Sequence, residues 1–416
     1  MARIFFYTYN VGKFIPLESQ IKSYKIQQDA AENKADIFVV ALQEIPNSEI
    51  SGVVVANKTW LSFFITMMSD CKLTLIYQKY MSSNLLMVFS SINFAGFLLK
   101  VQTRSVGYNF GGTVGYKGTI GVCMKLRNNI NLTFITSHFT HGDNNVPIRC
   151  KQYHLAKRCM FEDALEKQLL FWLGDFNFRI NDDSTVGLEK ASSTKKELHS
   201  AVRDADQLYI VKRDGLAFDG FFEPEINFPP SYRFIVKTDL YDHERKPSWC
   251  DRILVKSKNV PYKNLVYDAD LNVNNSDHIP VFAIYEVPDL FTSDGLIPSL
   301  CVFQDIPSWT CSVYFMCHFW FTNDYFETIG SNMDWVGFFR SPVKTMNVPD
   351  YWMYMALCYQ NTETIIGANE EDSRTIKKYV AESAYLAPGQ YVVAYYSVRC
   401  GTFIGISNPF NVNPST

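Results

Sequence analysis

The chain has 416 residues, 47% hydrophobic and 19% charged, with a net charge of −3. That length exceeds one ordinary core and predicts two domains. The composition excludes a disordered chain, and the charge excludes a surface built as a whole for polyanions, so phosphate recognition must be local.

In chain order, short apolar runs recur through the first 285 residues: "RIFFYTYNV", "DIFVVALQE", "LLMVFSSINF", "TIGVCMKL", "NLTFITSHF", "LLFWLGDFN", "RILVK" and "PVFAIYEV". Their length and their branched and aromatic content predict strands. Helices are expected in "RCKQYHLAKRCMFEDALEKQ" and in "TKKELHSAVRDADQL", where Thr194 and Glu197 have capping-box spacing. Strands interleaved with helices predict a layered α/β domain over residues 1–288. "IYEVPDLFTSDGLIPS" carries the linker chemistry of prolines, aspartates and glycine, with residues 289–299 as the linker. Residues 300–412 are aromatic-rich, with turn signals at Pro388-Gly389 and Asn408-Pro409, and read as a small all-β sandwich. One short helix is expected there, around "EEDSRTIKKYV".

The longest apolar stretch, "NLLMVFSSINFAGFLLKV", is interrupted by Ser90, Ser91 and Asn93 and does not read as a membrane span. The ten cysteines form no C-x-x-C pair and no regular framework, the pattern of free thiols in a reducing compartment. A cytoplasmic protein is expected, with membrane contact only peripheral.

Several strands end or begin on polar groups that a core would reject. These are Asn10; Gln43 and Glu44; Ser137 and His138; Asp175 and Asn177; Asp251; and Asp277 with His278. In "FWLGDFNFRI", continued strand periodicity would put Asp175, Asn177 and Arg179 on one face. Any one of these groups could merely begin a turn. Together they form the parts of one site. The oxygen donors Glu44, Asn10 and Asp277 suit a hard cation such as Mg²⁺. An Asp–His pair can serve as an acid/base dyad, Asp175 can activate a water that Asn177 orients, and nearby Arg and Lys can bind phosphate. The set describes metal-assisted phosphoryl transfer to water.

"FWLGDFNFRI" and "KPSWCDRILV" resemble the two signature motifs of the inositol polyphosphate 5-phosphatases, in order and at suitable spacing. "TYNVG", "FVVALQE", "AFDGFFEPEINFPPSYRF" and "SDHIPVFAIY" resemble flanking segments of that family. The resemblance covers about residues 1–288. It implies a four-layered α/β sandwich of the DNase-I-like kind and Mg²⁺-dependent removal of the 5-phosphate from phosphoinositides or soluble inositol phosphates. Carried over, Glu44, Asn10 and Asp277 fall on the metal side. Asp175, Asn177, His278, Asp251 and His138 fall on the chemistry, and Lys117, Tyr232, Arg233 and Arg245 on substrate phosphates. Arg179 is expected to anchor the signature loop, through a carboxylate, and Arg252 to buttress it. The chain departs from the family pattern at Tyr116, at Ser231 and Arg233 of "PSYR", at His243 and at Cys150, where substrate preference is set. Residues 300–412 resemble a SKICH domain through "MDWVGFF", "LAPGQYVVAYYS" and "GISNPFNV", which implies an immunoglobulin-like sandwich that recruits a protein partner. A phosphoinositide head group is the expected partner and nucleic acid is not. The competing readings are a catalytically weak phosphoinositide-binding scaffold and a nuclease of the same fold.

Overall fold

The computed structural model describes residues 1–16, 34–50, 53–56, 58–108, 117–162, 166–181, 204–242, 244–288, 290–291, 296–322, 324–365, 374–383 and 385–415. Tyr116, Thr194, Glu197 and His243 therefore lie outside the described residues. In the N-terminal part the strands are β1 (Ala2–Asn10), β2 (Ile37–Gln43), β3 (Asn47–Ile50), β4 (Val53–Ala56), β5 (Thr74–Met81), β6 (Asn84–Ser90), β7 (Leu98–Gly107), β8 (Gly118–Leu126), β9 (Asn131–His138), β10 (Gln168–Asp175), β11 (Asp251–Lys258), β12 (Lys263–Ala269) and β13 (Val281–Val287). They build one sheet in the order β12-β13-β1-β2-β6-β5 and a second in the order β11-β10-β9-β8-β7, with β3 and β4 paired separately.

The two-residue period of β1 explains the layering. Phe5, Tyr7 and Tyr9 face the helix Thr59–Asp70, where Tyr7 meets Phe64 and Tyr9 meets Trp60 edge-on. Phe6 faces the other way and packs on Phe171 of β10 and Phe134 of β9, with ring centroids 4.2 and 5.9 Å apart. On the far side of the second sheet, Trp172 meets Tyr153 of the helix Val146–Ala156, and Phe218. Helix, sheet, sheet and helix make the expected four-layered α/β sandwich. Each large apolar side chain buried between layers contributes about 1.5–3 kcal/mol.

All eight runs expected to be strands contain one. Several elements depart from expectation. The strand in "LLMVFSSINF" stops at Ser90, and Ile92–Ala95 form a single helical turn. The helix expected from Arg149 to Gln168 begins earlier, at Val146, and ends at Ala156. A 3₁₀ turn, Lys157–Met160, follows, Phe161 adopts a left-handed φ of 55°, and Gln168 already starts β10. The helix described near the second expected one is Gln207–Arg213, capped by Asp206, whose carboxylate accepts from Tyr209 N at 2.8 Å. The helix Thr59–Asp70 and the strands β3, β4, β5, β7 and β12 have no counterpart among the expected elements.

The chain divides into two compact units, residues 1–90, 103–123 and 130–291 in one, and 91–102, 124–129 and 292–416 in the other. In the second, a sheet of Cys301–Phe303, Met316–Phe321, Arg374–Glu382 and Tyr359–Ile365 encloses a core with a sheet of Trp309–Thr310, Phe410–Asn413, Gly389–Ser397, Trp335–Arg340 and Tyr351–Tyr354. Phe319, Phe338, Tyr379 and Tyr395 lie in that core. The helix expected around "EEDSRTIKKYV" is corrected: Arg374–Glu382 is a strand, paired antiparallel with a neighbour on each side. Two ladders of backbone bonds override the weak local preference of a short charged segment. Among the described residues no helix is long and apolar enough to cross a membrane.

Candidate active site

Parity and register bring the polar strand ends together. Asp175 has the parity of Phe171, so it faces the first sheet, and Asn10 has the parity of Phe6, so it faces the second. Asn10 Nδ2 donates to Asp175 Oδ2 at 2.9 Å. In the second sheet Asp175 stands beside His138 in the parallel β9–β10 pairing and opposite Asp251 in the antiparallel β10–β11 pairing. Gly174 makes the β9 approach possible. A Cβ built there would lie 2.1 Å from Ser137 O, and the φ of +142° disfavours any side chain.

These residues open on a cavity of about 550 Å³. Of the twelve expected site residues, ten line it: Asn10, Glu44, Lys117, His138, Asp175, Asn177, Tyr232, Arg245, Asp277 and His278. Asp251 lies behind His278, fully buried, and Arg233 does not line the cavity. The Arg233 guanidinium is drawn toward acids instead, 3.3 Å from Asp242 and 3.6 Å from Asp277. Lys13, Ser83, His141, Asp143 and Arg179 also line the cavity. No periodic signal marks the first four; their parts in the site arise from turns that only the fold brings together.

Asp175 is buried, yet its carboxylate accepts two hydrogen bonds and has the His138 ring beside it. Besides Asn10 Nδ2, Asn177 N donates to Oδ1 at 3.0 Å, and His138 Nε2 lies 3.3 Å from Oδ2. Burial alone would raise its pKa. His138, His278 and Lys117 outweigh it and hold the carboxyl well below the usual range, so Asp175 is an anion. His278 donates from Nδ1 to Asp251 Oδ2 at 2.8 Å, which also accepts from Ser231 Oγ at 2.7 Å. Burial would lower the His278 pKa, but Asp251 reverses this and lifts it to about 9. His278 is therefore an imidazolium at neutral pH. His138 goes the other way. Burial and the Lys117 ammonium, 2.8 Å from its Nε2, lower its pKa and keep it neutral. Burial likewise lowers that of Lys117.

The shared face expected for Asp175, Asn177 and Arg179 is not a strand face. β10 ends at Asp175, and Asn177 adopts a left-handed φ of 56°. The three converge through bonds instead: Asn177 N to Asp175, and Arg179 Nη2 to Asn177 Oδ1 at 2.6 Å. The Arg179 guanidinium lies over the Tyr232 ring, 4.1 Å from its centroid. It thus anchors the segment through an amide and an aromatic face, whereas a carboxylate was expected. Arg252 buttresses from outside the cavity, paired with Asp206 at 2.9 Å and Glu223 at 2.7 Å.

Two acidic groupings bear on a metal. Asp175, Asp251 and His278 offer donor atoms within 4.8 Å of one another, but the His278 proton and its bond to Asp251 remove the lone pair that a cation would need. Glu44 fits better. Its carboxylate is 37% exposed, and the neutral His138 ring lies 3.8 Å away. Glu44 follows β2 directly, one residue past Gln43, the register partner of Asn10 in the β1–β2 pairing. Carboxylate and amide oxygens at a cavity wall are a hard cation's donor set.

Fold and site define the class, a phosphoester hydrolase. The family model described as Endonuclease/Exonuclease/phosphatase family 2 matches residues 7–284, and the chain belongs to that family. The SKICH domain model matches residues 301–412. Among its relatives, the mouse inositol polyphosphate 5-phosphatase K is 26% identical, over 97% of this chain and 88% of that protein. The human phosphatidylinositol 4,5-bisphosphate 5-phosphatase A is 25% identical, over 99% of this chain and 42% of that longer protein. The resemblance read from the motifs is borne out. Among solved structures, the inositol polyphosphate 5-phosphatase domain of a synaptojanin, in complex with inositol (1,4)-bisphosphate and calcium, aligns with a TM-score of 0.56, 24% identity and coverage of 68% of this chain and 83% of its own. A Cimex nitrophorin aligns as well, with a TM-score of 0.56, 23% identity and coverage of 69% and 98%. One fold thus serves different chemistries, and the argument for function rests on the site.

Proposed function

We propose that this chain is a Mg²⁺-dependent phosphatase that hydrolyses the 5-phosphate of phosphoinositides such as phosphatidylinositol 4,5-bisphosphate or 3,4,5-trisphosphate. The observation that carries the reading is the pairing of an ionised Asp175, bonded by Asn10 and Asn177 N, with an imidazolium at His278, held by Asp251, in one cavity also lined by Lys117, Arg179 and Arg245.

The chemistry is in-line attack of water on the 5-phosphoryl group: the bond from phosphorus to the water oxygen forms as the bond to the inositol oxygen breaks, and the water's proton passes to the departing inositol oxygen, giving the free hydroxyl and inorganic phosphate. Asp175 accepts a hydrogen bond from the water and aims it. Its low pKa makes it an orienting anion rather than a strong base. His278 donates from Nε2 to a phosphoryl oxygen and stabilises the charge that builds there. Asn177 has both amide ends engaged, donating from Nδ2 to Phe139 O and accepting from Arg179, so its second N–H is held in a fixed direction for the same phosphoryl group. Lys117 and Arg245 receive the other phosphates. Glu44, Asn10 and Asp277 would hold Mg²⁺, which supplies Lewis-acid neutralisation of the reacting phosphate.

The substrate is read as membrane-borne. Ile235, Val236 and Leu240 are 48%, 48% and 66% exposed on the turn that follows Tyr232 and Arg233. Apolar side chains at a turn near the cavity suit insertion among lipid headgroups. We place the protein in the cytoplasm with recruitment to membranes, and read the SKICH domain as its site for a protein partner. The nuclease reading lacks support in the names of the relatives, and the scaffold reading conflicts with a complete set of catalytic groups.

The test is phosphate release with and without Mg²⁺ from a panel of phosphoinositides and soluble inositol phosphates, with product identification. Loss of the 5-phosphate is the expected result. Absence of release across the whole panel would sink the reading.

A further inference from the structure

The loop at residues 140–143 places His141, Gly142 and Asp143 on the cavity wall, though it belongs to no sheet or helix. Its order comes from side chains. Four successive carbonyl oxygens each accept a bond from one. Arg149 Nη1 donates to Thr140 O at 3.1 Å and Gly142 O at 2.7 Å, Asn145 Nδ2 to His141 O at 2.6 Å, and Gln207 Nε2 to Asp143 O at 3.1 Å.

Gln207 is the hub. It is 4% exposed, at the start of the helix Gln207–Arg213, and its amide makes four bonds. Oε1 accepts from Arg149 Nη2 at 2.7 Å and from Arg179 N at 2.9 Å. Nε2 donates to Asp143 O and to Asn181 Oδ1, the latter at 2.8 Å. A primary amide has two donors and an acceptor oxygen with two lone pairs, so its capacity is filled. One side chain thereby ties the cavity loop, the buried Arg149 and the segment that carries Asn177 and Arg179.

We propose that Gln207 is a positioning residue that sets substrate affinity by fixing the 140–143 loop, and with it His141 and Asp143, against the reacting segment. This rests on the reading of the cavity as a phosphatase site. The reasoning is chemical: only a group that both accepts and donates can serve Arg149, Arg179 N and Asp143 O together. An Arg alone would repel Arg149, and a carboxylate would face Asp143 O without a proton.

Two variants separate the halves of the clip. Gln207→Glu keeps both acceptor bonds, and Asn181 can turn its amide to donate, but Asp143 O loses its donor. Gln207→Leu loses all four bonds. Hydrogen exchange of the amides at 140–145 reads the loop directly, with Thr140 N, bonded to Gln152 Oε1 at 2.9 Å, and Asn145 N, bonded to Gly142 O at 3.2 Å, as reporters. In Gln207→Glu we expect exchange there to rise by roughly tenfold while residues 175–181 keep their protection. With short-chain phosphatidylinositol 4,5-bisphosphate, KM should rise by about tenfold and kcat should stay within about threefold. In Gln207→Leu both segments should exchange faster and kcat should fall as well. Wild-type exchange at 140–145 in Gln207→Glu, or an equal rise across the whole domain, would overturn the proposal. If the unaltered chain turns over no inositol phosphate, the phosphatase reading falls, and the exchange pattern still decides whether Gln207 holds the loop.

Discussion

Asp251 stands directly opposite Asp175 across the β10–β11 pairing, two buried carboxylates in one cross-strand row. Like charges so placed destabilise a sheet unless each is compensated. Asn10, Asn177 N and the nearby Lys117 charge compensate Asp175, and the His278 imidazolium compensates Asp251. The two carboxylates of the row are thus anions, with the His278 cation bonded to one of them from outside it, and the charge state of that pair governs the first prediction.

His278 has its pKa lifted from 6.5 to about 9. A raised folded-state value means that its contribution to stability is complete below about 6.5 and is lost as pH rises through about 9. Activity should follow the same limb, holding through neutral pH and falling above about 9. Asp251→Asn removes the main cause of the rise. The alkaline limb should then move toward or below the ordinary histidine range, and kcat/KM at pH 7.5 should fall by about 10²-fold or more. A pH–rate profile of both proteins checks this; an unmoved limb would assign it to another group.

Gly174→Ala should unfold the protein more than it alters chemistry. The added Cβ meets Ser137 O at 2.1 Å, a backbone atom that cannot turn aside. The cost should be about 3 kcal/mol or more, read as a lower denaturant midpoint at unchanged slope.

Glu44→Gln keeps shape and removes the exposed charge at the cavity wall. Calorimetric titration of the chain with Mg²⁺ should show affinity reduced by about tenfold or more. Equal binding by both proteins would move the metal away from Glu44.

Replacing Ile235, Val236 and Leu240 together by serine should weaken sedimentation with phosphatidylserine-containing vesicles by about tenfold or more. Hydrolysis of a soluble inositol phosphate should be unchanged. A parallel loss of both would mean that the turn supports the site rather than the membrane.

Most of the first domain was legible because its strands are short, apolar and bounded by turn chemistry. The site was legible because strands in layered sheets end at a common edge, so Asn10, Glu44, His138 and Asp175 announce themselves as polar residues where apolar runs stop. Other features were hidden for physical reasons. Arg374–Glu382 looks helical locally and is a strand because two neighbours pair with it. Asn177 and Arg179 keep strand spacing, yet the chain has already turned at Asn177. Gln207 gave no signal, because its partners lie 58 and 28 residues away and are defined by which carbonyls and amides the fold leaves exposed to it.

The pairing of β9, β10 and β11 has a further consequence. Because His138, Asp175 and Asp251 occupy one rung of a ladder, their spacing is inherited from the pleat and is indifferent to the length of the loops that join the strands. Chemistry and selectivity are therefore separable in this architecture. An insertion in a connecting loop can retune which ligand is admitted, whereas a single residue added within β10 would dismantle the rung.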